Sequence, residues 1–293
     1  MKIIEREHID IERWNKLVSA SENASVFSYS WYLDATAENW CVLVNNDYSS
    51  GIALPYSVRL GVKTLYTPIF VRYIEWLGAK SDFKQIQEKI KGQFSNIEVS
   101  IKQPILGVKY DSYVYQSIEV NVERKLGSQA KRSLKKAMKS ELEVLVSKDY
   151  SGIENIVKSE LVGKYNGIDE VSIHALSKLF QAAKKENRIS VYEIKGQGGI
   201  VCINDKGSLL YLKGTVSKSC KEQGGMYACL DRAIRDADQE HKKFDFGGSR
   251  IDGVKRFNHN LGGKDVTYYG YTFNNAPIWF KLARRIKNKW SKK

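Results

Sequence analysis

Between residues 189 and 246 the chain passes through three short β-rich segments, 189–194, 199–204 and 209–215, separated by Lys195-Gly196-Gln197-Gly198 and Asp205-Lys206-Gly207. Glycine-containing breaks of this length between β-rich runs predict a three-stranded antiparallel meander. Met226, Leu230, Ala233, Ile234 and Ala237 then recur at helical spacing over about 225–241, and a short strand is expected at 243–246. Two helices, at about 153–165 and 171–186, precede the meander, so this part of the chain is a mixed α/β layer.

The first hundred residues read as a second, shorter version of that layer. Two short helices are expected within 9–37, with Ser28 as a candidate cap before Trp31-Tyr32-Leu33. Strands are expected at 40–44, 51–59 and 62–66, a helix at about 82–94, and a strand at 97–102 ended by Pro104. A chain of 293 residues exceeds one average domain. The division expected is 1–115 and 116–275, followed by a basic helix at 276–293. No period of 20–50 residues repeats, which argues against a solenoid.

Composition bounds the class. With 42% hydrophobic, 11% aromatic and 27% charged residues, the chain is that of a folded globular protein. Cys41, Cys202, Cys220 and Cys229 form no CxxC pair and match no zinc or disulfide framework, so a reduced, cytoplasmic setting and no metal are expected. The N-terminus lacks a signal-like apolar stretch, and no run of about 20 apolar residues predicts a membrane span. Lys and Arg number 47 against 33 Asp and Glu, a net charge of +14 that concentrates anions near the surface.

Much of that charge falls on one predicted helix after a strand at about 117–122. Arg124, Lys125, Lys131, Arg132, Lys135, Lys136 and Lys139 face no acidic residue within 124–139, while Leu126, Ala130, Leu134, Ala137 and Met138 form an apolar stripe.

Three segments, in this order, resemble the FemAB-like N-acyltransferases, a group with two tandem GNAT-like domains. The first is Val26-Phe27-Ser28-Tyr29-Ser30-Trp31, with Ile52-Ala53-Leu54-Pro55 and Thr67-Pro68 after it; the second is Lys131-Arg132-Ser133-Leu134-Lys135-Lys136-Ala137, similar to the family's basic helix, after which the resemblance implies a short return strand at Leu142-Glu143-Val144. The third runs from Leu210-Tyr211-Leu212-Lys213-Gly214 through Phe244-Asp245-Phe246-Gly247-Gly248 to Phe257-Asn258 and Leu261-Gly262-Gly263. The family often has Phe-Lys where this chain has Phe257-Asn258, and its aminoacyl transferases are thought to use that lysine to steady charge at the transferring carbonyl. The long helical hairpin of the large Fem enzymes has no counterpart here.

The resemblance implies two parallel strands, 209–215 and 243–246, that splay apart to admit the acyl group, lined by Lys213, Gly214, Asp245, Gly247 and Gly248. Acyl transfer needs the donor carbonyl held against a neutral amine, with a hydrogen-bond donor at the oxyanion. Asp245 could position the amine or accept its proton, or serve only as a strand-end hydrogen-bond acceptor; Asn258 stands at the family's lysine position, with His259 beside it. The loop Lys221-Glu222-Gln223-Gly224-Gly225-Met226 half resembles the superfamily's Arg/Gln-x-x-Gly-x-Gly/Ala phosphate loop and reads equally as a turn that starts a helix. Arg132, Lys135 and Lys136 are candidate phosphate ligands, and Trp31 and Tyr32 candidate acceptor contacts, against the alternatives of a solvated face and of core packing.

Three functions fit. The first is an acyl-CoA (acetyl-CoA) N-acyltransferase acting on a sugar or peptide amine in cell-envelope or polysaccharide synthesis. The second is an aminoacyl-tRNA-dependent transferase, and the third a non-catalytic basic module for nucleic acid or membrane. No Gly-x-Ser-x-Gly elbow with a Ser-His-Asp order is present, which disfavours a hydrolase. At the C-terminus, Trp279, Leu282, Ile286 and Trp290 share one helical stripe among Lys281, Arg284, Arg285, Lys287, Lys289, Lys292 and Lys293. That stripe either lies on an anionic membrane or docks on the protein.

Overall fold

The computed structural model describes residues 1–22, 24–79, 82–107, 109–161, 170–248 and 251–290, with the side chains of 160, 161 and 286–290 excepted. In chain order the first elements are β1 (Lys2–Glu5), α1 (Ile11–Ala20), α2 (Ser30–Thr36), β2 (Asn39–Val44), β3 (Ser50–Arg59), β4 (Val62–Tyr66), β5 (Trp76–Gly78), α3 (Phe83–Gln93) and β6 (Asn96–Ile101). Next come β7 (Asp111–Ile118), α4 (Ser128–Lys139), β8 (Leu145–Ser147), α5 (Ser151–Leu161), α6 (Glu170–Lys185), β9 (Ile189–Ile194), β10 (Gly198–Asp205) and β11 (Ser208–Val216). The last are α7 (Lys218–Glu222), α8 (Gly225–Gln239), β12 (Lys243–Asp245), α9 (Asp252–Asn260), β13 (Lys264–Asn274) and α10 (Ile278–Trp290).

The chain forms two compact units, Met1–Tyr113 with Tyr268–Lys293, and Val114–Thr267. It passes from one to the other inside β7 and returns inside β13. In the first unit the strands run β1-β2-β3-β4-β6 and then the Tyr269–Asn274 part of β13, with β5 alongside β3. The β4–β6 pair is parallel and the others are antiparallel. Asp10 and Asp82 cap α1 and α3 by accepting from Arg13 N and Lys84 N. Ile86 and Ile90 of α3, and Phe94 just after it, are fully buried with Leu43, Leu54 and Ile97, so apolar burial holds the helix to the sheet.

The second unit orders its strands β7-β12-β11-β10-β9-β8. The β9–β10–β11 meander is antiparallel as the turn residues predict, and β12 pairs parallel to β11. The stripe of α8 packs on this sheet: Cys229, Leu230, Ala233, Ile234 and Ala237 are buried with Ile194, Ile200, Cys202 and Phe244.

Several expectations need correction. Ser28 does not cap α2; Tyr29 occupies that position, and Ser28 Oγ donates to the buried Glu75. Strand β7 lies at Asp111–Ile118 rather than 117–122. Residues 142–144 are not a strand, because Leu142 N and Glu141 N donate to Ala137 O and Met138 O, with Glu141 left-handed at φ 51, and so close the C-terminus of α4. Pairing starts at Leu145. Met138, assigned to the packed stripe of α4, is 79% exposed, whereas Ala130 and Ala137 are the buried residues of that helix. The sequence reading also missed β1, β5 and α7. The C-terminal end of the 153–165 helix lies outside the described residues.

All four cysteines are buried and free. Burial pushes the Cys41 and Cys229 thiols up to about 12, and those of Cys202 and Cys220 upward as well.

Candidate active site

In the second unit β11 and β12 stay paired for three positions, Ser208↔Lys243, Leu209↔Phe244 and Leu210↔Asp245, and then part. β11 continues to Val216 against β10 alone, while Phe246 N turns to Gln116 O at 3.1 Å. Two features drive the parting. A bulge sets Leu212 out of register, since Val201 faces Lys213 and Cys202 faces Tyr211. On the other side Gly247 and Gly248 adopt φ 83 and 136, and a Cβ on Gly247 would stand 2.6 Å from Tyr211 O. Gly214 is equally constrained, because a Cβ there would meet Gly199 O at 2.2 Å.

Lys213 follows the bulge. Its side chain is half-buried, burial pulls its pKa down, and among the described residues its Nζ has no hydrogen-bond or ion-pair partner. A desolvated ammonium without a counter-ion is stabilised by an arriving anion. Asp245, 7% exposed, accepts from Gly247 N at 2.9 Å and so orders the two-glycine turn.

Asn258 joins a polar chain beside the end of β12. Its Nδ2 donates to Gln116 Oε1 at 2.9 Å, and Gln116 Nε2 donates to Asp265 Oδ1 at 2.8 Å. His259 Nε2 stands 2.7 Å from Asp265 Oδ1, and Lys255 Nζ lies 2.9 Å from Asp265 Oδ2. Burial tends to raise the Asp265 pKa, but the hydrogen bonds from Gln116, Lys255 and His259 outweigh it and bring the group to about 2. Gly263 makes room for this chain, since a Cβ there would crowd Phe246, Asn258 O and Gln116. Sequence reasoning found Asn258 and His259 but missed Gln116, Lys255 and Asp265. The polar pair Gln116-Ser117 in the buried end of β7 was the available signal.

The glycine loop starts α8 as expected. Gly224 caps the helix in the left-handed region at φ 87, and the first-turn N–H groups of Gly225, Met226 and Tyr227 lie beyond reach of any carbonyl of the helix itself. The glycines are also packing residues: a Cβ on Gly224 would stand 2.2 Å from Ser133 O of α4, and one on Gly225 2.2 Å from Cys220 Sγ. Lys221 is exposed at the end of α7 and Met226 is half-buried. The cap is therefore bordered by α4, whose Arg132, Lys135 and Lys136 are exposed; Arg132 bonds Gln129 at 3.0 Å, and the two lysines have no ion-pair partner among the described residues. A cavity of about 510 Å³ opens between α4 and α8, lined by Leu134, Ala137, Leu142, Ala228 and the Arg124–Asp231 ion pair.

Trp31 and Tyr32 belong to the first unit. Tyr32 is fully buried and its hydroxyl donates to Phe70 O at 2.6 Å, which makes it a packing residue. Trp31 stacks on Tyr29 at 6.4 Å, and its buried Nε1 lacks a partner among the described residues. Among the described residues no cluster of three His, Cys, Asp or Glu is arranged to hold a metal ion.

No family model and no curated protein matches the chain. Solved structures do. FemX is similar over 94% of this chain and 98% of its own, with a TM-score of 0.63 at 9% identity. L-PGS from Bacillus licheniformis aligns over 94% and 95%, with a TM-score of 0.58 at 9% identity. A GNAT-family acetyltransferase from Colwellia psychrerythraea aligns over 94% and 100%, with a TM-score of 0.53 at 9% identity. What is shared at such identities is architecture: the chain has the mixed α/β, FemAB-like GNAT fold.

Proposed function

We propose that the protein is an N-acyltransferase that moves an acyl group from acyl-CoA to the amine of a sugar or peptide used in cell-envelope or polysaccharide synthesis. The observation that carries the reading is the parting of β11 from β12 beyond Leu210 and Asp245, beside Lys213, which has no ion-pair partner among the described residues. The fold shared with a GNAT-family acetyltransferase and with FemX supports it.

In this reading the thioester carbonyl lies against the β11 edge that β12 leaves uncovered. The neutral acceptor amine attacks the carbonyl carbon, and negative charge develops on its oxygen. Lys213 and the backbone near Gly214 stabilise that oxyanion, supplying the charge that the family's lysine would bring from the Asn258 position. The carbon–sulfur bond then breaks, and the thiolate takes up the proton that the amine gives off. Asp245 and the Asn258–Gln116–Asp265 chain hold the turn and the end of β12, so they act by positioning. The α8 N-terminus at Gly224-Gly225-Met226, with Lys221 and the α4 cations at its border, fits the CoA pyrophosphate, because unpaired N–H groups and a positive helix end favour anions.

Acetyl-CoA or a longer acyl-CoA should raise the melting temperature, increasingly at concentrations above the dissociation constant. Lys213→Met should lower turnover by about 10²- to 10³-fold, the loss typical of removing one oxyanion donor. If no acyl-CoA shifts the melting temperature, the donor assignment fails. The exposed lysines of α4, without ion-pair partners among the described residues, favour one second reading, an aminoacyl-tRNA donor. It requires tRNA binding that weakens steeply with salt. Indifference to tRNA at low salt removes it.

A further inference from the structure

Helix α10 has two faces, and the apolar one is not against the protein. Phe280, 4% exposed, packs with Ala276 and Val62, while Arg284 pairs with Glu98, so these positions fix the helix to its unit. Ile278, Trp279 and Leu282, on the opposite side, are 76%, 52% and 51% exposed. Three large apolar side chains in water forgo a sizeable hydrophobic gain, which marks an interaction face.

A second apolar element lies on the same packing cluster. Val62 opens β4, the turn before it carries Leu60, 70% exposed, and Val58 near the end of β3 is 40% exposed. Arg59 pairs with Val62 across a two-residue turn in which Leu60 and Gly61 adopt φ 51 and 74. Such turns favour Asn, Asp or Gly at the first position, and a leucine is strained there. The chain thus places a bulky apolar residue where both solvent and backbone disfavour it.

Charge identifies the occupant. No acidic residue occurs from 275 to 293, while that stretch holds Lys281, Arg284, Arg285, Lys287, Lys289, Lys292 and Lys293. Lys281 and Arg285 flank the apolar face and have no ion-pair partner among the described residues, whereas the hairpin's Arg59 and Lys63 are neutralised by Glu38 and Glu5. An apolar stripe rimmed by free cations suits an anionic lipid surface better than a second copy of this basic chain, which would repel it. No described helix is long and apolar enough to cross a membrane.

We infer that the exposed face of α10 and the Leu60 turn together form a peripheral docking surface for anionic lipid, with α10 lying in the interface. This inference does not depend on the acyl-transfer reading. The test is sedimentation of the full chain with phosphatidylcholine vesicles containing or lacking phosphatidylglycerol. Wild type should sediment only with the anionic vesicles. Combined Ile278→Ser, Trp279→Ser and Leu282→Ser should weaken binding by about tenfold or more, and Lys281→Gln or Arg285→Gln by about fivefold each. Leu60→Asn should weaken binding while raising the melting temperature, a pair of opposite effects that misfolding cannot mimic. Wild type failing to sediment with anionic vesicles, or the triple serine variant sedimenting equally, would overturn the inference. So would a concentration-dependent dimer that the triple variant abolishes, since the face would then belong to a second copy.

Discussion

Asp265 receives Gln116, Lys255 and His259 at once, and this fixes how it responds to acid. Its folded pKa of about 2 lies below the ordinary carboxylate value of about 3.9. The stabilisation it provides is therefore complete above the unfolded value and is lost as pH falls through the folded one. Denaturation midpoints between pH 5 and pH 2 should fall more steeply for wild type than for Asp265→Asn; parallel slopes would show that the chain of contacts contributes nothing. Gly224 responds through geometry instead. Its φ of 87 and the 2.2 Å approach of Ser133 O predict that Gly224→Ala costs on the order of 1–3 kcal/mol in urea unfolding, whatever the role of the loop in anion binding.

Among the elements, α8 is tied to the segment just before α4 by one ion cluster. Asp231 on α8 accepts from Arg124 and, at 3.1 Å, from Arg235, while Arg124 Nη1 is buried with no partner among the described residues. Asp231→Ala would strand a buried guanidinium, and a loss of about 3 kcal/mol in chemical denaturation is expected. The same region marks where sequence reading reached its limit. The meander and the α8 stripe were legible because glycine turns and a 3.6-residue period are local signals. The end of α4 was not, because Glu141 in a left-handed conformation and the bonds from residues 141 and 142 depend on backbone geometry that Leu142-Glu143-Val144 does not advertise. Likewise motif order named Lys213, Gly214 and Gly247 as candidates, but the Leu212 bulge was hidden in the apolar run Leu209-Leu210-Tyr211-Leu212. The chain from Asn258 was missed because Gln116 stands 142 residues from Asn258 and 149 from Asp265, and the three meet only in three dimensions.

For the whole molecule, chain continuity decides what can fold alone. Residues 114–267 are one uninterrupted segment, whereas the first unit borrows Tyr268–Lys293 from the C-terminus. Without that return, β6 loses its antiparallel partner at Tyr269–Asn274, and Tyr271 leaves the core that holds Ile97 and Val99. A fragment of 114–267 should show a cooperative urea transition and a fragment of 1–113 should not; a sharp transition in 1–113 would mean that the returning strand is dispensable. The burial of all four thiols gives the experimenter a further handle. Maleimide dyes consume thiolates at accessible positions, and native Cys41, Cys202, Cys220 and Cys229 offer neither condition. A Leu282→Cys chain should therefore take up a single dye within minutes and leave the natural sulfurs untouched, so an environment-sensitive fluorophore can report from that helix face against a silent background.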